Sequence, residues 1–300
     1  MNEKKYELRK QIKSVRWMIF WVVLAQFAAE LAVEAVASFM EKPPHEYILI
    51  AIVEVLAIGV PIMVYARSVW NGGVQHAKKE FWLNPCKPSV LVIAALLGIT
   101  GQFVMILLNM PANYYVQEIL GQTQEDAIPM AFNVTEVILG IFAVVVIPAA
   151  LEEFWMRGII FCAYNKSNTY AAIFFTSLIF ALLHMRLNEM AGFLLMGIVA
   201  SVVLIKCNSL YASMVYHAFS NLTALLLGFV LPLFIDYIWI VFVVAVIIFA
   251  GLFVLMLMQK NRVSVNRHFK GNRLVLTSIF SMPVIFSIAV AVAKYLLIKM

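Results

Sequence analysis

The chain has 300 residues, of which 64% are hydrophobic and 13% are charged, whereas an ordinary globular domain is about 45–50% apolar and about 25% charged. A soluble protein of this length could not bury so much apolar surface, so the composition excludes secreted disulfide scaffolds, nucleic-acid-binding domains and cytosolic enzymes. The formal net charge of +6 indicates no nucleic-acid partner, because the basic residues lie between apolar stretches. We therefore predict an all-α polytopic membrane protein.

Nine apolar stretches are candidate membrane spans, since about 20 residues of helix cross roughly 30 Å of hydrocarbon. In chain order they are 17–39, 47–66, 89–110, 133–163, 170–186, 190–205, 209–230, 236–258 and 274–298. The fifth and sixth are short. Segment 67–88 mixes polar, basic and aromatic residues, which fits either a helix on the membrane surface or a solvated loop with aromatic anchors.

Lysine and arginine are distributed unequally between the two sides of these spans. Seventeen lie on the side of the N-terminus, four lie on the other side, and Arg157 lies within a span. Basic loops stay in the cytoplasm, so we predict a cell-membrane protein of prokaryotic type with a cytoplasmic N-terminus and a C-terminus outside. Loop 111–132 contains acidic but no basic residues, in agreement with an outside position.

The strongest group of polar residues inside a span lies in the fourth one, and ionisable residues at such depth are usually functional. Glu152 and Glu153 are adjacent, and Arg157 follows Glu153 by four residues, so these two share a helix face and can pair. Glu152 points about 100° away, so we expect it to stay free for chemistry. Pro148 is expected to kink the helix close by.

Two other spans carry polar residues at the same spacing of four. Phe180 and His184 share a face of the fifth span, and His217 and Asn221 share a face of the seventh. At about 1.5 Å per residue from the cytoplasmic ends, Glu152 and the last three of these residues lie about 14 to 21 Å deep. They can therefore meet at one site, although a single buried His or Asn often only satisfies a neighbouring helix.

These three motifs, Glu-Glu-x-x-x-Arg, Phe-x-x-x-His and His-x-x-x-Asn, in this order resemble the CPBP family of CAAX prenyl proteases and bacteriocin-processing intramembrane proteases, which includes the type II CAAX endopeptidases. The resemblance implies a bundle of eight to nine transmembrane helices around a conical or enclosed intramembrane active-site cavity. It implies a catalytic core at 89–230, preceded by a basic segment, two spans and an interfacial loop at 1–88. Two C-terminal spans follow at 231–300.

The resemblance also implies an activity, the hydrolysis of a peptide bond of a membrane-associated substrate. Glu152 with His184 would activate a water molecule, and His217 with Asn221 would stabilise the oxyanion that forms. The implied site comprises four catalytic and three supporting residues, namely Glu152, His184, His217 and Asn221, and Glu153, Arg157 and Phe180.

Cofactor and partners are expected as follows. No cofactor is favoured; a zinc metalloprotease with the metal on Glu152, His184 and His217 is the alternative. The substrate is a hydrophobic or membrane-anchored peptide, either a prenylated CAAX peptide or a leader or bacteriocin-like peptide, and the lipid bilayer is the second partner. The sequence indicates no nucleic-acid partner and no particular oligomeric state.

Two other classes of function remain as alternatives. One is a non-catalytic membrane scaffold or regulator on the same fold, and the other is a transporter in which buried Glu and His side chains relay protons. Three acidic residues in the first two spans are weaker signals. Glu30 and Glu34 share a face and are expected to brace their helix or to reach the interface, and Glu54 has no assigned role.

Overall fold

The computed structural model describes residues 3–70, 73–119, 133–184, 186–263, 265–266 and 276–297, and these form helices without a β-strand. Six helical runs in the described residues are long and apolar enough to cross a membrane, namely Tyr6–Ser38, Glu46–Arg67, Pro88–Glu118, Val134–Asn165, Met190–Cys207 and Leu210–Met258. The prediction of an all-α polytopic membrane protein is therefore confirmed. The number of eight or nine spans, the enclosed cavity and the orientation of the termini stay predictions. The acidic residues at 125–126 and the basic segment 267–273 lie outside the described residues.

The helices follow one another with few intervening residues. They are α1 (Glu3–Ser38), α2 (Glu46–Glu54), α3 (Val60–Trp70), α4 (Val74–Glu80), α5 (Pro88–Tyr114), α6 (Val134–Gly140), α7 (Ile147–Glu153), α8 (Cys162–Asn165), α9 (Thr169–Leu183), α10 (Met190–Cys207), α11 (Leu210–Val230), α12 (Ile238–Met258) and α13 (Met282–Leu297). Four wider π-helical segments join or extend these helices. In chain order they join α2 to α3, extend α5, join α6 to α7 and join α7 to α8, at Val55–Gly59, Tyr115–Ile119, Ile141–Val146 and Phe154–Phe161.

The helical run of the fourth predicted span is continuous from Val134 to Asn165. Pro148 is the second residue of α7, directly after a π-helical segment. Proline lacks the N–H group that the interior of an α-helix needs. Pro148 lies instead at the start of the α-helical segment. Since π-helical turns often occur at functional sites, the π-helical segments on either side of α7 favour a functional role for Glu152 in that helix.

Helix α11 packs very closely along α5. A Cβ atom added to Gly98 would lie 2.3 Å from the carbonyl oxygen of Tyr216, so only glycine permits this approach. One turn further along both helices, the Ser220 hydroxyl donates a hydrogen bond to Gln102 Oε1 over 3.1 Å. Because residue numbers rise together, the two helices run in the same direction, and α5 holds His217 of α11 in place.

The predicted spans at 209–230 and 236–258 fall within the single 49-residue run Leu210–Met258. This run consists of α11 and α12, separated by the 3-10 segment Leu231–Tyr237, in which Phe234 departs from helical backbone angles. Helix α12 meets α5 at Gly101–Phe249 and at Phe103–Phe242. Residue numbers rise along α5 as they fall along α12, so α12 runs opposite to α11 and the chain turns back at the 3-10 segment.

Helix α9 is shorter than the predicted fifth span 170–186, because it ends at Leu183 with His184 as its C-cap. Its 15 residues extend only about 22 Å at 1.5 Å per residue. It packs tightly on α10, since a Cβ atom on Gly197 would lie 2.7 Å from Ser177 Cα. The helix end therefore places His184 inside the bundle.

The segment 67–88 contains the short helix α4 and packs against the bundle. Phe81 is buried, with its ring 4.9 Å from that of Phe154, and the backbone carbonyl of Trp82 accepts a hydrogen bond from Leu210 N over 3.0 Å. The segment thus combines a short helix, as in the first expectation, with aromatic residues that anchor it to the bundle, as in the second, and its position at the membrane surface stays a prediction.

Candidate active site

A buried ion pair joins two residues of the fourth predicted span. Arg157 Nη1 donates to Glu153 Oε1 over 2.7 Å, and both side chains are 0% exposed. Arg157 Nη2 also donates to the carbonyl oxygen of Gly197 over 3.1 Å, and its guanidinium lies 4.9 Å from the centroid of the Phe180 ring. Buried charges persist when they are paired and hydrogen-bonded, and this pair ties the helix to α9 and α10.

The same carboxylate holds the first of the two histidines. His217 Nδ1 lies 3.0 Å from Glu153 Oε1, and the imidazole is 2% exposed. A carboxylate that is paired with an arginine is an acceptor only, so Nδ1 carries the hydrogen and donates. The bond fixes both the orientation and the tautomer of His217, so that Nε2 is the free ring nitrogen.

The second histidine is oriented by the end of its own helix. His184 Nδ1 lies 2.7 Å from the carbonyl oxygen of Phe180, one of the carbonyls that a helix C-terminus leaves without a partner. A carbonyl only accepts, so Nδ1 is again the donor. The ring stacks on Phe193 at 3.8 Å between centroids and lies 4.6 Å from the Phe180 ring, which confines it sideways.

Glu152 faces the free nitrogens of both histidines. Its Oε2 atom lies 3.9 Å from His184 Nε2 and 4.0 Å from His217 Nε2. This oxygen is buried and has no hydrogen-bond partner within the described part of the chain. The separations exceed the 2.7–3.2 Å or so of a direct hydrogen bond, but they suit a water molecule that bridges the atoms.

The three atoms that converge at this point are all acceptors when the imidazoles are neutral and Glu152 is ionised. Because each Nδ1 donates elsewhere, each Nε2 presents a lone pair, as does the Glu152 carboxylate. A water molecule placed among them donates to two of the three acceptors at a time, because it has two hydrogens. The arrangement can thus bind a water molecule and remove its proton.

Asn221 lies one turn further along α11 and has a different surrounding. Its Nδ2 donates to the carbonyl oxygen of Val144 over 2.9 Å, which joins α11 to the π-helical turn before α7. Among the described residues, no hydrogen bond connects Asn221 to Glu152 or to either histidine. The structure therefore brings together six of the seven predicted residues, and Asn221 adjoins them as a helix-to-helix link.

Two residues that support the site were not singled out from the sequence. Phe193 stacks on His184, and the carbonyl of Gly197 accepts from Arg157. Both lie in α10, an apolar helix without polar motif residues, so neither carried a signal beyond its place in a span.

Zinc is the predicted alternative at this site. Two imidazoles and a carboxylate are suitable ligands, but tetrahedral zinc with bonds of about 2.1 Å holds its ligand atoms about 3.4 Å apart. The atoms here are 3.9 and 4.0 Å apart, and no group of three or more His, Cys, Asp or Glu in the described residues has the geometry of a metal site. The ligand types suit zinc, and the separations are wider than a bound metal would hold them, so the choice between zinc and metal-free catalysis stays a prediction.

Comparison with known proteins locates the family signal in this part of the chain. Neither the curated proteins nor the solved structures contain a match to the chain. A family model does match, over residues 134–223, a range that contains every residue of the site described above. In this segment the chain matches the Rce1-like family, described as type II CAAX prenyl endopeptidase Rce1-like, which confirms the resemblance predicted from the three motifs.

Proposed function

We propose that the protein is an intramembrane endopeptidase in which Glu152, with His184, activates a water molecule to hydrolyse a peptide bond, and His217 stabilises the oxyanion. One observation carries the proposal. The buried, unpartnered Oε2 atom of Glu152 lies within 4.0 Å of two imidazole nitrogens from separate helices. The match of this segment to a protease family supports the same conclusion.

The first step is the attack of water on the scissile carbonyl. Glu152 accepts a proton from the water as its oxygen bonds to the carbonyl carbon, and His184 Nε2 accepts the second hydrogen of the water and so orients it. Phe180 and Phe193 limit the access of other water molecules to His184, which strengthens electrostatic interactions at the site.

The second requirement is a donor for the oxyanion that forms on the former carbonyl oxygen. We assign this role to His217, whose ring Glu153 holds with Nε2 toward Glu152; the imidazolium form, with a hydrogen on both ring nitrogens, supplies the donor. Its Nε2–H then donates to the oxyanion. Arg157 holds Glu153 in place, and Asn221 keeps α11 in register with the π-helical turn.

The third step releases the products. The proton that Glu152 has taken passes to the amide nitrogen, the carbon–nitrogen bond breaks, and an amine and a carboxylic acid leave. Glu152 returns to its ionised form, ready for the next water molecule. No residue is consumed and no co-reactant is needed other than water.

An apolar groove supports a hydrophobic substrate. It has a volume of about 450 Å³. One wall is α2 and the π-helical turn after it, and the other is α6, the π-helical segment after it and the start of α7; the lining residues are Tyr47, Ile48, Ala51, Ile52, Val55, Leu56, Leu139, Phe142, Ala143 and Ile147. Its size lies within the range of about 300–1,000 Å³ that is usual for ligand sites. A prenyl group or a run of apolar residues would fill it, in line with the CAAX prenyl endopeptidases of the matching family.

For the native protein we expect a cell-membrane location with a cytoplasmic N-terminus. The proposed activity is tested with purified protein in detergent or in lipid vesicles. A farnesylated CAAX-type peptide and an unprenylated hydrophobic leader peptide, each carrying a quenched fluorophore, are the probes. We expect cleavage of at least one by the wild type and none by Glu152→Gln or His184→Gln, with all three proteins folded. Equal cleavage by the variants, or none by the wild type, would overturn the proposal. Solute uptake by the same vesicles would favour a transporter, and partner capture that is unaffected by Glu152→Gln would favour a scaffold.

A further inference from the structure

A second carboxylate lies close to the site, on a helix outside the matched family segment. Glu54 ends α2 and is followed directly by the π-helical turn Val55–Gly59. Its Oε1 atom is buried and has no hydrogen-bond partner in the described residues. A buried acceptor without a partner is costly inside a membrane, so this atom calls for a ligand.

The packing of two helices sets the position of Glu54 relative to Glu152. A Cβ atom on Gly140 would lie 3.3 Å from Tyr47, and one on Gly59 would lie 3.6 Å from Leu151. Both pairs are offset by nearly the same number of residues, so the α2–α3 helix runs parallel to the α6–α7 helix. Glu54 therefore lies level with residues 146–147 of the neighbouring helix, about six residues before Glu152 in the chain direction and roughly 7–9 Å from it along the axes.

The two carboxylates also lie within electrostatic range of each other. Glu54 is flanked by groove residues, since Ala51 and Val55 both line the apolar groove, and Ile147 lines its other wall. Glu54 itself does not line the groove, but it lies between the level of the groove and that of Glu152, so we infer that a peptide reaching from the groove to Glu152 passes it. Along an extended peptide, 7–9 Å corresponds to two or three residues at about 3.3 Å each.

We propose that Glu54 is a substrate-binding residue whose carboxylate accepts a hydrogen bond from an N–H group of the peptide, two or three residues from the scissile bond. The proposal rests on the proposed endopeptidase function and extends it to a residue on the second predicted span. An extended peptide within a membrane has backbone N–H groups without partners, and a desolvated carboxylate is a strong acceptor for them. The same chemistry would bind a cationic side chain at that position.

The experiment compares Glu54→Met, which has no acceptor, with Glu54→Gln, which keeps one neutral acceptor oxygen. Glu34→Met is the matched control, because Glu34 is an exposed glutamate on α1. The probe is the peptide that the wild type cleaves, together with versions that are N-methylated, or that carry Lys or Ala, at the second and third residues on each side of the scissile bond.

We expect Glu54→Met to raise KM about 10- to 100-fold, the range for a lost hydrogen bond to a charged group, with a smaller change in kcat. Glu54→Gln should lie in between, and Glu34→Met should match the wild type. One N-methylated peptide should be a poorer substrate than the unmodified peptide for the wild type, whereas Glu54→Met should cleave the two peptides equally well. Discrimination only between Lys and Ala would assign the bond to a side chain instead of the backbone.

Two failures are distinguishable. If the wild type cleaves no peptide, the endopeptidase function itself is wrong. If the wild type cleaves but Glu54→Met keeps both KM and the preference among the modified peptides, Glu54 does not bind substrate and the endopeptidase function stands. If Glu54→Met does not fold, Glu54→Gln is used instead, and the measurement is the ratio of its kcat/KM values for the unmodified and the modified peptide. This ratio does not depend on the amount of active protein. An unchanged ratio overturns the inference.

Discussion

Glu152 and Glu153 are neighbours in the chain, yet their carboxylates have opposite surroundings. Glu153 Oε1 accepts hydrogen bonds from Arg157 over 2.7 Å and from His217 over 3.0 Å. Oε2 of each glutamate is buried without a hydrogen-bond partner among the described residues, so the difference is that the Glu153 carboxylate is tied through its other oxygen. Helical geometry turns consecutive side chains about 100° apart. One carboxylate is therefore part of the framework, and the other is available to water.

This division predicts that Glu152→Gln abolishes activity without unfolding the protein. The substitution removes a base and leaves the shape of the side chain, so we expect a loss of about 10²–10⁴-fold, the usual contribution of a general base. Peptide cleavage gives the activity, and a thermal unfolding midpoint within a few degrees of the wild type gives the control. Retention of more than a tenth of the activity would contradict the assigned role.

Glu153→Gln should instead lower stability. It leaves the guanidinium of Arg157, which is 0% exposed, without an opposite charge, and breaking a buried ion pair costs about 3–5 kcal/mol. Arg157→Lys should be damaging too, because lysine cannot donate to Glu153 and to the Gly197 carbonyl with the same fixed geometry. Unfolding in detergent measures both, and a midpoint as high as that of the Glu152→Gln protein would refute the framework role.

Two glycines offer a matched pair of substitutions. Gly197→Ala places a Cβ atom 2.7 Å from Ser177 Cα, whereas Gly251→Ala meets no atom within 4 Å in the described structure. Overpacking costs about 1–3 kcal/mol, so we expect Gly197→Ala to lower the unfolding midpoint and the activity, since α10 also carries the Arg157 acceptor. Gly251→Ala should be neutral or slightly stabilising. Equal midpoints for the two variants would show that α9 and α10 are further apart than described.

Zinc should be dispensable. The candidate ligand atoms are 3.9 and 4.0 Å apart, wider than the roughly 3.4 Å of a tetrahedral zinc site. We expect active protein to contain far less than one zinc per chain and to keep its activity after chelation and gel filtration. A stoichiometric metal content, with activity lost on chelation and restored by zinc, would establish the metalloprotease alternative.

A polar cluster between α4 and the end of α8 predicts a pH-dependent contribution to stability. Burial alone would raise the pKa of Glu80, but the hydrogen bond and charge of Lys166, with a hydrogen bond from Gln11, outweigh burial and lower it. A lowered folded-state pKa stabilises the fold above the unfolded-state value and loses that effect as the pH falls through the folded value.

The corresponding test compares wild type with Glu80→Gln. The side chains of Lys166 and Glu80 are 42% and 22% exposed, so the difference in unfolding free energy at pH 7 should be at most about 1 kcal/mol. It should shrink as the pH falls below about 4. Glu7→Gln, at an exposed position on α1, is the control. A difference that grows toward acid pH would contradict the lowered pKa.

The sequence by itself determined the class of the protein, the position of most spans and the residues for which a chemical role is predicted. Long apolar runs have no stable alternative to membrane helices, and a spacing of four residues places Glu153 beside Arg157 and His217 beside Asn221 on any helix. These conclusions depend on local geometry alone, so they needed no knowledge of which helices are neighbours.

Only the tertiary structure decided how the helices meet and therefore what each side chain contacts. It joins Glu153 to His217, gives Asn221 the Val144 carbonyl as its partner, and places Glu54 within electrostatic range of Glu152. The lateral order of helices and their rotation about their axes depend on close packing at sites such as Gly98 on α5. Because the apolar faces have similar compositions, no periodic pattern along the chain reveals which helices are neighbours.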